Sequence, residues 1–142
     1  MKPDIQTRQD IFRLLEAFYR KALHDELIGY FFTSVIKINM AEHLPVITDF
    51  WEMVLLGGTN YKKNAIAPHL HLHQLSPLEE KHFNRWLELF NSTVDQLFAG
   101  TIATMAKQRA LSVATVMKIK ILHSSPIKNT DYDNTGSTTA GG

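Results

Sequence analysis

The sequence predicts an all-α protein, and three observations carry that prediction. Apolar residues recur at the three- and four-residue spacing of one helix face in four separate segments. Residues that favour helix ends, such as Thr7, Ser76-Pro77 and Gly57-Gly58, flank these segments. The chain has 142 residues, 44% of them hydrophobic, which suits one domain with a single core. We therefore expect helices packed on helices.

The first predicted helix covers about residues 9–24. Thr7 and Asp10 form a capping-box pattern at its start. Residues 25–29 are typical of a turn, and the short apolar cluster at 30–32 is expected to pack over the edge of the core. The apolar face of the helix carries Ile11, Leu14, Leu15, Phe18 and Ala22.

A second helix is predicted to begin near Ala41 and to end at Gly57-Gly58. Pro45 fits only the opening turn of such a helix, because proline has no N–H to donate further in. His43 lies on the apolar face, four residues before its first aliphatic member. That face carries Ile47, Phe50, Trp51, Val54 and Leu55.

A third, long helix is predicted from residues 76–79, Ser-Pro-Leu-Glu, which combine an N-cap serine with proline at the first helical position. Gly100 fits the position after its end. Residues 59–75 before it show no sustained period, and we expect mostly loop with a short helical turn. The stripe of this helix is Phe83, Trp86, Leu87, Phe90, Val94, Leu97 and Phe98.

The last predicted helix covers about residues 101–123. Beyond it, residues 124–142 are rich in Ser, Thr, Asn, Asp and Gly and lack apolar periodicity. We therefore predict one folded domain over 1–123 and a disordered polar tail over 124–142. The apolar face of the last helix carries Ala106, Ala110, Val113, Ala114, Met117 and Ile121.

Charge and composition exclude several classes of function. The 15 Lys and Arg residues nearly balance 14 Asp and Glu residues and form no basic stripe, so we expect no nucleic-acid partner. No apolar run approaches the roughly 20 residues that span a bilayer, and the N-terminus lacks the apolar stretch of a secretory signal. We expect a cytoplasmic protein with no membrane partner. The absence of cysteine leaves histidine and carboxylate as the ligands for any metal.

The residues that could carry chemistry are histidines and large aromatic residues. Residues 69–73, His-Leu-His-Leu-His, place three imidazoles in five positions, which suits either a metal site or a solvated loop. Tyr19, His43 and Trp86 each have an ordinary core interpretation. Their combination around an interior apolar space favours a binding site. A zinc protein that uses His69, His73 and His82 is a further alternative.

Several sequence motifs resemble those of the group III truncated haemoglobins, and they occur in the order and at the spacing that this family has. Together they cover about residues 4–122. They are Phe18-Tyr19, Ile28-Gly29-x-x-Phe32, His43-Leu44-Pro45 with Phe50-Trp51, Tyr61-Lys62-x-Asn64, His69-Leu70, Phe83-x-Arg85-Trp86-Leu87-x-Leu89-Phe90, Thr93-Val94-Asp95-x-Leu97-Phe98 and Ala106-Lys107-x-Arg109-Ala110.

The resemblance implies a truncated globin-like helical sandwich around haem b. It implies that His69 is the axial ligand of the iron and that Tyr19, His43 and Trp86 surround the gas ligand on the opposite, distal side. The residues implied to contact the cofactor are His69, Phe32, His43, Phe50, Trp51 and Trp86. The other histidines are then expected to be ordinary solvated residues: His24, His71, His73, His82 and His123.

The function implied by the resemblance is binding of O2, NO or CO by a monomeric globin, with oxygen transport as one use. An enzymatic alternative uses the same pocket for nitric oxide dioxygenation or peroxide turnover, and it needs a reductase that the sequence does not identify. Strong hydrogen-bond donors beside the ligand suit both functions. The sequence therefore leaves open whether the protein is a carrier or an enzyme.

Overall fold

The computed structural model describes residues 1–35, 39–61 and 78–123, apart from the side chains of residues 35 and 121–123. Every regular element in these ranges is helical, which confirms the predicted fold class. The predicted tail and most of the predicted loop before the third helix lie outside the described residues. The elements are α1 (Arg8–Ala22), a π-helical turn (Phe31–Val35), α2 (Met40–Leu56), α3 (Glu80–Leu97) and α4 (Thr101–His123).

Helix α1 begins with the predicted capping box. The backbone N–H of Asp10 donates to the Thr7 hydroxyl at 3.2 Å, and the N–H of Thr7 donates back to the Asp10 carboxylate at 3.2 Å. Each residue of the predicted apolar face is at most 1% exposed. Tyr19 joins that face, so α1 buries a phenol as well as a hydrocarbon stripe.

Helix α2 starts at Met40, one residue earlier than predicted, and its N-cap Asn39 accepts the N–H of Glu42 at 3.3 Å. Pro45 consequently lies in the second turn, and the prediction that places it in the opening turn is wrong. Its missing N–H would have bonded the carbonyl of Ala41. Ala41 and Pro45 are both exposed, so water can satisfy that carbonyl and the helix tolerates the proline.

Helix α3 begins at Glu80, three residues later than the predicted first helical position, Pro77. The N-cap is Glu79, whose backbone N–H donates to Nδ1 of His82 at 2.9 Å. Ser76 and Pro77 lie outside the described residues. Of the predicted stripe, four members are buried and the other three pack partly buried against the core; the buried members are Phe83, Phe90, Val94 and Phe98.

The segment before α1 caps the distant N-terminus of α4. The carboxylate of Asp4 accepts the N–H of Ala103 at 2.8 Å and that of Ile102 at 3.0 Å. Gly100, at the bend into α4, has φ of +139°, and a Cβ there would lie 2.5 Å from Cγ of Asp4. The cap therefore needs glycine at this bend.

Helix α1 packs against α2 and α3, while α4 packs against α3 and less extensively against α2. Arg8 of α1 ties the first pair, since Nη1 lies 2.6 Å from the carboxylate of Asp49 and 2.9 Å from that of Glu52. Within the described ranges, no helix combines the length and the apolar character needed to cross a membrane. The helices leave a space between them that aromatic residues line.

Candidate functional site

A cavity of about 100 Å³, partly open to solvent, lies between the helices. Every described helix and the π-helical turn contribute to its wall. The wall is dominated by nine aromatic rings: Phe18, Tyr19, Phe31, Phe32, Phe50, Trp51, Phe83, Trp86 and Phe90.

Tyr19 is a polar residue of the cavity wall, and its bond to His43 joins α1 to α2. The hydroxyl of Tyr19 lies 2.8 Å from Nε2 of His43, and the two rings meet edge to face with centroids 5.0 Å apart. Tyr19 is only 7% exposed, and burial raises the pKa of its phenol above the ordinary value. The hydroxyl therefore stays protonated and can donate a hydrogen bond.

A column of three aromatic rings forms one side of the cavity. Trp86 stacks on Phe90 at 5.5 Å with an interplanar angle of 17°, and Trp51 stacks on the same phenylalanine at 4.9 Å and 22°. The edge of Phe18 packs on Trp86 at 6.0 Å. Among the described residues, none accepts a hydrogen bond from the indole N–H of Trp86. This donor is thus available to a ligand.

The structure brings most of the predicted site residues together. Phe32 packs its edge on Tyr19 at 5.8 Å, and Phe50 packs on Trp51 at 5.5 Å. His43 approaches the cavity through its bond to the Tyr19 hydroxyl and is partly buried. Helical spacing had placed His43 and Phe50 on one face of α2, whereas Phe32 was named only through the family resemblance.

The predicted axial ligand, His69, lies outside the described residues, as do His71 and His73. The side chain of His123 is also outside them. His24 is exposed, and its Nδ1 lies 2.9 Å from the carbonyl of Arg20, in agreement with the predicted solvated position. In the parts of the chain that the structure describes, no group of three or more His, Cys, Asp or Glu residues could hold a metal ion.

His82 is a cavity residue to which the family resemblance gives no role. It was expected to be solvated, yet it is partly buried, lines the cavity and packs against Phe31 with ring centroids 4.8 Å apart. Burial lowers the pKa of His82 below its ordinary value, so the ring is neutral at neutral pH. One signal was present in the sequence, because His82 precedes Trp86 by four residues and Phe90 by eight.

A partly buried ion pair holds the turn that precedes the π-helical turn against α3. The carboxylate of Asp25, 5% exposed, accepts from Nε of Arg85 at 2.8 Å and from the N–H groups of Leu27 and Ile28 at 3.0 and 3.1 Å. Burial opposes the charge of Asp25, but these donors outweigh it and lower the pKa of the carboxyl. The pair fixes Ile28, which lines the cavity.

The packed helices and the aromatic cavity agree with the predicted truncated globin fold. The chain is 29% identical over 118 residues to the Group 3 truncated hemoglobin ctb of Campylobacter jejuni, a match that covers 81% of this chain and 91% of that protein. It superposes with a TM-score of 0.75 on the crystal structure of a group III truncated hemoglobin from Campylobacter jejuni, at 27% identity. That superposition covers 85% of this chain and 95% of the other.

These comparisons confirm the resemblance to group III truncated haemoglobins and the truncated globin fold. No family model matches the chain. Similarity to truncated haemoglobins implies a haem cofactor, and the lining of the cavity suits one: the wall is apolar and aromatic and includes a few polar groups. The residues present therefore fit a macrocycle with an apolar body and a polar centre and edge.

Proposed function

We propose that the protein binds haem b in this cavity and takes a diatomic gas, O2, NO or CO, as its ligand. In the proposal His69 is the axial ligand of the iron, and Tyr19, His43 and Trp86 surround the gas. The observation that carries it is the hydrogen bond of 2.8 Å between His43 and Tyr19, a residue of the aromatic cavity wall. The similarity to proteins named truncated hemoglobins supports the cofactor.

Haem, when bound, supplies an iron with a coordination position for a diatomic gas. The chain supplies hydrogen-bond donors beside that position. The Tyr19 phenol remains protonated because burial raises its pKa, and the indole of Trp86 can only donate. In an apolar wall such donors are electrostatically stronger than in water, so they discriminate a polarised ligand from an apolar one.

His43 decides which way the phenol proton of Tyr19 is directed. If Nε2 of His43 is unprotonated, it accepts that proton and the phenol is occupied. If Nε2 carries the proton, it donates to the phenol oxygen, and the phenol O–H is available to the gas. We propose that the second tautomer is the one that serves ligand binding.

The proposed function is tested by the absorption spectra of the full chain reconstituted with haem b. A Soret band, with distinct ferrous, O2 and CO forms, is expected for the wild-type chain. His69→Ala should weaken or abolish the band, while His71→Ala, a neighbouring histidine of the same cluster, should keep it. Loss of the band in His71→Ala or His73→Ala with His69→Ala unaffected would contradict the ligand assignment.

The proposal also covers the oligomeric state, the cellular location and the redox partner of the protein. We propose a monomer in the cytoplasm that uses a reductase to return ferric haem to the ferrous state, with oxygen transport as one use. Size-exclusion chromatography of the haem-loaded chain should give a single species of about 16.2 kDa.

A further inference from the structure

His82 contributes a polar group to the cavity that the proposed gas chemistry does not use. Its ring lines the cavity and packs on Phe31, yet the residue remains partly exposed. The side chain thus lies where the apolar wall meets solvent. Lys81 and Glu79, its neighbours in the chain, are exposed charged residues.

The cap of α3 determines which nitrogen of His82 carries the proton. The N–H of Glu79 donates to Nδ1 at 2.9 Å, so Nδ1 must offer its lone pair. In a neutral imidazole the single proton is then on Nε2. Among the described residues, no group accepts a hydrogen bond from Nε2 of His82. The cavity edge therefore holds a directed, unused donor.

This tautomer suits an anion and not a metal ion. Nε2 could ligate a metal only if its proton moved to Nδ1, where two donors, Nδ1–H and the N–H of Glu79, would face each other across 2.9 Å. A carboxylate, in contrast, accepts the Nε2–H without any change at the cap. The geometry thus speaks against His82 in the zinc alternative.

We propose that His82 binds a carboxylate of the cofactor, a haem propionate, through Nε2–H at the edge of the cavity. The inference rests on the proposed haem-binding function and adds to it the residue that holds the charged end of the macrocycle. The apolar body of haem fits the aromatic wall, and its carboxylates belong where the wall meets water.

The test measures how fast the cofactor leaves the full chain when an excess of a competing apoglobin captures it. Two isosteric variants are compared, His82→Glu and His82→Gln. Both side chains retain an acceptor for the N–H of Glu79, because Glu and Gln are the usual third residues of a capping box. They differ in charge, so only the first repels a carboxylate. His24→Glu, at an exposed histidine outside the cavity wall, controls for the charge change.

Haem b should leave His82→Glu about tenfold faster than His82→Gln, since one charged hydrogen bond changes a binding constant by roughly that factor. Haem b dimethyl ester, whose carboxylates are masked, should leave both variants at the same rate. His24→Glu should match the wild-type chain. Equal release of haem b from the two His82 variants, or an equal difference with the ester, would overturn the assignment.

A measurement on the unsubstituted chain guards against poor folding of the variants. In the CO complex, the Nε2–H signal of His82 in a ¹⁵N spectrum should shift between haem b and its dimethyl ester, and identical signals would contradict the proposal. A wild-type chain that forms no Soret band would contradict the proposed function and this site together. A Soret band with equal release rates would contradict this site alone.

Discussion

The phenol of Tyr19 and the imidazole of His43 meet at 2.8 Å, which joins α1 to α2 through one hydrogen bond at the cavity. The two residues are 24 positions apart and come from separate amphipathic helices. Each has a partner that fixes its side chain, so neither needs to reorganise before a ligand arrives. Preorganised donors of this kind give the largest electrostatic effect on a bound ligand.

Tyr19→Phe should speed the release of O2 from the haem-loaded chain by about tenfold or more, because it removes a buried donor that a polarised ligand would use. The ring, and its edge-to-face packing on Phe18 at 4.9 Å, would remain. Stopped-flow mixing with CO measures the rate. Tyr30→Phe, at a tyrosine that is 48% exposed, is the matched control and should leave the rate unchanged. An unchanged rate in Tyr19→Phe would refute the role of the phenol.

Trp86→Phe should also speed O2 release, by about fivefold, because it deletes the indole N–H while a ring stays in the stack with Phe90. The same stopped-flow measurement checks it, and the Soret band should keep its intensity. An unchanged O2 release rate in a variant with an intact Soret band would show that Trp86 serves packing and not ligand binding.

Asp4→Ala should lower the free energy of unfolding by about 1–2 kcal/mol, the usual cost of losing an N-terminal cap. The backbone N–H groups of Ile102, Ala103 and Ile5 outweigh burial and lower the pKa of Asp4. The stabilisation is therefore fully present above the unfolded pKa of about 3.9 and is lost as the pH falls through the lower folded pKa.

Urea denaturation of Asp4→Ala and wild type at pH 7 and at pH 2.5 measures this difference. The gap between them should be large at pH 7 and should shrink at pH 2.5. Glu16→Ala, at an exposed position in the middle of α1, is the control and should leave stability within about 0.5 kcal/mol. A gap that is the same at both values of pH would show that the charge of Asp4 is not the source.

Phe90→Ala should destabilise the cofactor-free chain by about 3–5 kcal/mol, because a fully buried ring in contact with Phe18, Trp51 and Trp86 leaves a hole that they cannot fill. Leu111→Ala, at a leucine that is 56% exposed, should cost far less. Thermal unfolding of both variants provides the comparison. Equal losses would mean that the aromatic column does not support the fold.

Much of this arrangement was predictable because helix periodicity determines which side chains share a face. The faces of α1 and α2 already contained Tyr19 and His43, and the face of α3 contained Trp86. Their meeting at one cavity needed the family resemblance, since periodicity does not say which helices pack together. Pro45 shows that a proline does not fix where a helix begins. The carbonyl of Ala41, which Pro45 leaves without its helical donor, is exposed to water, so α2 can begin earlier than the proline suggests.

Two features escaped prediction for a common physical reason. Asp4 acts on α4 across 98 and 99 residues, and a capping pattern read along the chain sees only the next three or four positions. His82 lies on the same face as Trp86. Its partner is the backbone N–H of Glu79, at the start of α3, and the sequence predicted that start too early, at Ser76-Pro77. The spacing of side chains along the sequence does not reveal hydrogen bonds to distant residues or to backbone groups.

The aromatic column also makes the chain its own optical probe. The sequence contains two tryptophans, Trp51 and Trp86, and both stack on Phe90 at the cavity wall. Light absorbed near 295 nm is therefore emitted only from residues that line this cavity. A coloured molecule that enters would quench that emission by energy transfer over a few ångströms, so occupancy can be titrated without attaching any dye.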